Sequence, residues 1–166
     1  MDLGRRMVSS DTVVFWFNVT GFPAPQGSKR HLGNGVLVES SSKVKPWRAD
    51  VKAAAELAID HPRLAPWRTL TEPTHVTVMF RFRRPKSHYR TGRNAHLLRG
   101  NAPTHPTSRA FGDIDKLTRS TLDALVAAAV LADDSLIYSL VANKRWCVPD
   151  EPPGATILIN STGTNT

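Results

Sequence analysis

Hydrophobic residues recur along this chain with two periods, and the places where one gives way to the other outline the fold. Residues 13–21 are rich in β-branched and aromatic side chains, with Val13-Val14-Phe15-Trp16-Phe17 in front, which predicts a strand buried on both faces. Asn34-Gly35 is a two-residue hairpin signal, and residues 36–39 supply the returning strand. From Pro46 the period lengthens. Trp47, Val51, Ala54, Ala55, Ala58 and Ile59 recur at helical spacing as far as His61, leaving Arg48, Lys52 and Glu56 outward. Residues 74–82 return to alternation, setting Val76, Val78, Phe80 and Phe82 against polar or long partners in a half-buried strand. A second helix is expected to begin near Asp113, with Ile114, Leu117, Thr121, Leu122, Leu125, Val126, Ala129 and Val130 as its apolar stripe. Residues 136–148 and 156–159 read as two more strands, expected to pair with each other. This order predicts an α/β (α+β) single domain in which a small mixed sheet packs with two main helices. Its extent is 12–160, between flexible tails at 1–11 and 161–166, and 166 residues suffice to bury a core without staples.

One stretch fits neither period. Residues 83–110 combine prolines, glycines and cations, and no acid occurs between Glu72 and Asp113. A one-signed block of this kind repels itself and seeks a polyanion, so the expectation is an extended loop that is mobile without ligand and orders on nucleic acid. The rest of the chain shares the bias: 22 Lys and Arg against 14 Asp and Glu give a net charge of +8. Gln26-Gly27-Ser28-Lys29-Arg30 follows two prolines and sets glycine beside two cations, suited to a phosphate but equally to a solvated turn. Lys29, Arg30, Arg84, Lys86, Arg90, Arg93, Arg109, Lys116 and Lys144 are accordingly the candidate DNA contacts.

A single cysteine, Cys147, allows no intrachain disulfide, fits a reducing cytoplasm and reads as a packed thiol beside Trp146. No apolar run approaches the roughly 18 residues that a membrane span requires.

The acids stand out against this basic background. Asp113 and Asp115 precede and open the second helix, and Asp133-Asp134 follows it. On a regular helix two residues two apart diverge, whereas in an extended segment they share a face. Asp113 and Asp115 can therefore act jointly if Asp113 precedes the first turn; otherwise Asp113 is simply an N-cap. Asp133-Asp134 reads either as turn residues or as the second half of a cation site. Brought to one side of the sheet, the two pairs would converge on a divalent ion. Arg119 lies four residues from both Asp115 and Asp123 and can form helical ion pairs with either. Position five after Asp113 is Leu117 rather than a calcium ligand, and phosphate-loop glycines, zinc spacings and a serine nucleophile elbow are missing.

The order Gly21-x-Pro23-x-Pro25-Gln26-Gly27, Asp113-Ile114-Asp115-x-Leu117, Leu122-Asp123-Ala124-Leu125, Asp133-Asp134-x-x-Ile137 and Lys144-Arg145 resembles the RusA-type Holliday junction resolvases, the crossover junction endodeoxyribonucleases, over nearly the whole chain. The resemblance implies a homodimeric endonuclease that cuts four-way DNA junctions with Mg2+ or Mn2+, by paired symmetric nicks in recombination and repair. It also implies a bacterial, prophage or phage setting in the cytoplasm. Asp113, Asp115 and Asp134 would be the metal-binding catalytic acids, with Asp133 supporting them. Arg119 stands where the family has its catalytic lysine, and Lys116 where it usually has asparagine. A guanidinium keeps the charge but is a poor proton donor. Two other readings stay open: a branched-DNA-binding protein without catalysis, and a metal-dependent nuclease preferring flaps or forks.

Overall fold

The computed structural model describes residues 7–9, 12–27, 29–31, 37–39, 42–62, 64 and 66–161. Its strands are β1 (Met7–Ser9), β2 (Thr12–Thr20), β3 (Lys29–His31), β4 (Leu37–Glu39), β5 (Thr74–Phe82), β6 (Ile137–Trp146) and β7 (Gly154–Ser161), and its helices are α1 (Val44–Ile59) and α2 (Ile114–Ala127). Five strands form one mixed sheet in the order β1-β2-β7-β5-β6, and β3 and β4 pair as a separate ribbon. The domain is α+β, as the alternation of periods predicts. The Asn34-Gly35 turn lies outside the described residues, although β3 and β4 on either side of it pair antiparallel. Met7–Ser9, within the segment read as a tail, pairs with β2 instead.

Both helices lie on one face of the sheet, and that decides which side chains are core. Phe15, Phe17 and Val19 of β2, Ala155, Ile157 and Ile159 of β7, and Val76, Val78 and Phe80 of β5 are all buried. Pairing registers Phe17 with Ile157 and Ile157 with Val78, so these residues form continuous rows beneath the helices. The expectation that the first long strand is buried on both faces is corrected here. Asn18 and Thr20 are exposed, because among the described residues neither helix lies over the reverse face and a strand's side chains alternate.

Trp47 of α1 is fully buried, stands near Phe80 with ring centroids 6.4 Å apart, and donates its indole N–H to Thr121 Oγ1 of α2 at 3.1 Å. That bond satisfies the only polar atom of a large apolar group. Helix α2 stops three residues before the end of its apolar stripe, which runs to Val130. Ala129 takes φ 55°, and the chain turns so that Leu70 N–H reaches Val130 O at 3.1 Å and Ala132 N–H reaches Leu70 O at 2.9 Å.

The last two strands do not pair with each other as expected. β7 lies between β2 and β5, where its buried stripe completes the core, and β6 takes the edge in parallel with β5. Parallel neighbours need a crossover, and α2 provides it.

On the helix-free face, Arg81 is buried to 3% exposure. Its guanidinium donates to Val19 O at 3.1 Å and Asn18 Oδ1 at 3.2 Å and pairs with Glu151 at 3.5 Å. Glu151 in turn accepts two hydrogen bonds of 2.6 Å from Arg145 and one of 3.0 Å from the N–H of Val148. These contacts, led by the Arg145 bonds, lower the Glu151 pKa to about 2 from 4.5. A depressed carboxylate pKa contributes stability that is complete above the unfolded value and lost as pH falls through the folded one. The melting temperature is therefore expected to fall as pH drops from about 4.5 toward 2, as thermal unfolding followed by circular dichroism will measure. Glu151→Gln should start lower, because it leaves Arg81 buried without its counter-charge, and should show a shallower acid decline.

Candidate active site

The acid pair at the head of α2 owes its place to three local features. Gly112 takes φ 71°, a left-handed conformation that favours glycine and turns the chain between the Arg109–Phe111 turn and the helix. A Cβ there would meet the Pro25 ring at 2.7 Å, so the glycine also lets the proline loop sit close. The same loop is tied down by Gln26 N–H to Lys116 O at 3.0 Å and by Ser120 Oγ to Ala24 O at 2.8 Å. From the sheet side, Lys144 of β6 donates to Gly112 O at 2.8 Å.

Asp113 precedes the first turn with extended backbone angles, φ −77° and ψ 140°, and its side chain caps no helical N–H. The condition for Asp113 and Asp115 to act together is met. Both are exposed, and Asp113 pairs with Lys116 at 3.1 Å. Lys116, read as a DNA contact, thus offsets part of the local negative charge. Arg119 is exposed one turn further on and makes no ion pair among the described residues. The expected bridge to Asp123 is not formed, because Asp123 is engaged by Arg48 of α1, which Trp47 packing brings against α2.

The second acid pair divides its work. Asp133 accepts from the N–H of Ser135 at 2.8 Å and so caps the Asp134–Leu136 turn, and hydrogen bonding from the Ser135 side chain, with the backbone bond second, lowers its pKa. Asp134 is exposed and its carboxylate accepts no bond within the turn.

The two pairs are not brought together within one chain. Phe111, two residues before Asp113, contacts Phe82 and Trp146, the last residues of β5 and β6, at centroid distances of 5.3 and 5.0 Å. Asp134–Leu136 runs directly into Ile137, which pairs with Thr74 at the opposite end of the same strands. The 14 residues of α2 span about 21 Å between them. Among the described residues, no three His, Cys, Asp or Glu side chains are placed to hold one metal ion. The expected convergence inside one subunit is corrected accordingly. The exposed carboxylates of Asp113 and Asp115 are hard oxygen donors of the kind a divalent ion takes, and among the described residues they have no third beside them.

The cations are similarly sorted. Lys29 and Arg30 lie on β3, while Lys86, Arg93 and Arg109 are exposed on the loop between β5 and α2. Arg90 donates to Leu98 O at 3.3 Å, and Arg84 lies over the Trp146 ring at 4.8 Å while donating to Pro103 O at 2.8 Å. That loop, expected to be extended, contains local structure. Two short turns, Lys86–His88 and Gly92–Asn94, and a Tyr89–Leu98 bridge give it hydrogen bonds of its own without ligand. Sequence reasoning did not identify Gly112 or the Lys144 anchor. A glycine directly before an acid pair was the available signal; a cation on a strand carries none.

Residues 20–160 match the family model for endodeoxyribonuclease RusA. The chain belongs to that family. RusA proteins are endodeoxyribonucleases that act on branched DNA junctions and depend on a divalent metal, which fits carboxylates set in a basic surface. A search of curated proteins found no match. No helix among the described residues is long and apolar enough to cross a membrane.

Gly112→Ala tests how this RusA-family site is positioned. The left-handed backbone and the Pro25 ring together should cost about 1–3 kcal/mol of stability, measured by chemical denaturation. DNA cleavage should fall further than stability does, because Asp113 moves with its neighbour.

Proposed function

We propose that this protein is a magnesium-dependent endonuclease, able to use manganese, that resolves four-way junctions by paired symmetric nicks in recombination and repair. The observation that carries the reading is the extended, uncapped Asp113 standing exposed beside Asp115 at the head of α2. These carboxylates and Asp134 would hold the ion, which when bound supplies an activated water and neutralises phosphate charge. Arg119, exposed on the same helix and without an ion pair among the described residues, would stabilise the charge that develops on the phosphate. Its guanidinium is suited to that role rather than to proton transfer. Lys29, Arg30, Lys86, Arg90, Arg93 and Arg109 would meet backbone phosphates, so that affinity falls with salt.

A homodimer resolves the separation of the acids. In a two-fold dimer whose copies run antiparallel, Asp134 of one copy can approach Asp113 and Asp115 of the other. Two equivalent sites result, one for each strand to be nicked. Asp133, held on the backbone of its own turn, would keep Asp134 presented.

The direct test compares an immobile four-way junction with a matched linear duplex, in magnesium and in chelator. Symmetric nicking of the junction alone is expected, and Asp115→Asn should reduce it at least about a hundredfold while leaving binding intact. Binding without cleavage in magnesium or manganese would leave a branched-DNA-binding protein, and preferential cleavage of flaps or forks would replace the substrate. Mixing Asp115→Asn with Asp134→Asn examines the shared site. Each variant alone should be inactive, yet re-formed mixed dimers keep one intact site and should recover single-strand nicking. No recovery would place all three acids in one chain.

A further inference from the structure

A cleft of about 530 Å³ opens where β5 and β6 end, between the loop that follows β5 and the turn that follows β6. Arg83, Arg84 and Tyr89 line one side; Cys147, Val148 and Pro149 line the other. Its volume falls within the roughly 300–1,000 Å³ of small-molecule sites.

The walls are held in place. Arg84 is fixed over Trp146, and both donate to Pro103 O, at 2.8 and 2.9 Å. Tyr89 is set by the bridge to Leu98 and by Arg99, which donates to its carbonyl at 2.8 Å. Glu151 also borders the cleft, but Arg145 and Arg81 already match its charge. Asp150 adds one exposed carboxylate at the rim against the two arginines. Guanidinium groups beside an aromatic ring and an apolar wall are the chemistry of a nucleotide site: the cations take a phosphate and the ring stacks a base. A base inside a duplex cannot reach such a wall without leaving its stack. The cleft also lies close to the acids, since the Trp146 ring that supports Arg84 touches Phe111, two residues before Asp113.

We propose that this cleft holds one unstacked nucleotide of the DNA strand beside the crossover, with its phosphate on Arg83 and Arg84 and its base against Tyr89. The assignment rests on reading the chain as a branched-DNA endonuclease and adds the element by which it captures an opened strand.

Cys147, the chain's single thiol, makes the cleft testable without turnover. In chelator, a short oligothymidylate should slow alkylation of Cys147, and blunt linear duplex should not. Tyr89→Ala should raise the Kd for oligothymidylate about tenfold, and Tyr89→Phe should restore it. Arg83→Gln, at an exposed position, should weaken binding to a similar degree and guards against a folding defect in Tyr89→Ala. Equal protection by duplex, no protection by oligothymidylate, or unchanged affinity in both Tyr89→Ala and Arg83→Gln overturns the proposal. Protection of Cys147 together with absent junction cleavage by the wild type would support the cleft while overturning the nuclease reading.

Discussion

The parallel pairing of β5 with β6 is the constraint from which the arrangement of this protein follows. Two adjacent parallel strands cannot be joined by a tight turn, so the chain must leave the sheet at Phe82 and return at Ile137. Helix α2 makes the return, and its ends carry the acids. The length of the helix therefore sets the separation of the two carboxylate pairs. Its packing against α1, through Trp47 and Thr121, fixes how the first pair is presented. Lys144 closes the arrangement by tying the edge strand to the residue before Asp113.

The two faces of the sheet carry different burdens. Under the helices the core is apolar and continuous from β2 to β5. On the open face the sheet is held by charge: Arg81, buried beside Glu151, gathers carbonyl and side-chain acceptors from β2 and from the residues just before β7. Burial lowers the Arg81 pKa, and Glu151 acts in the opposite direction. This ionic knot lies at the same end as the Arg84–Trp146 stack, so that end of the sheet is stiffened by polar contacts rather than by added core.

Local patterns made the elements legible, and pairings between distant segments were not. The spacing of Trp47, Val51, Ala55 and Ala58 identified α1, and the alternation through Val76, Val78 and Phe80 identified β5. Where β7 would insert depended on which rows completed the buried face, and neighbouring strands in sequence carry no record of that. The same holds at the acids. The two-residue spacing of Asp113 and Asp115 was informative because their geometry is local to the helix start. The distance to Asp134 was not legible, since it depends on the direction of a crossover. Arg119 illustrates the limit again: its spacing suited Asp123, but a residue 75 positions away in sequence took that carboxylate.

The contact between Phe82 and Phe111 has a wider consequence. It brings together the two points where the basic loop leaves and rejoins the domain. A segment anchored at one spot can lengthen, shorten or change sequence with little effect on the elements beneath it, since closure entropy grows only logarithmically with length. The acids at the two ends of α2 are placed by the sheet and the helix, while the loop between β5 and α2 is free to vary. In this architecture substrate range can evolve separately from chemistry, as an exchangeable attachment on a constant frame.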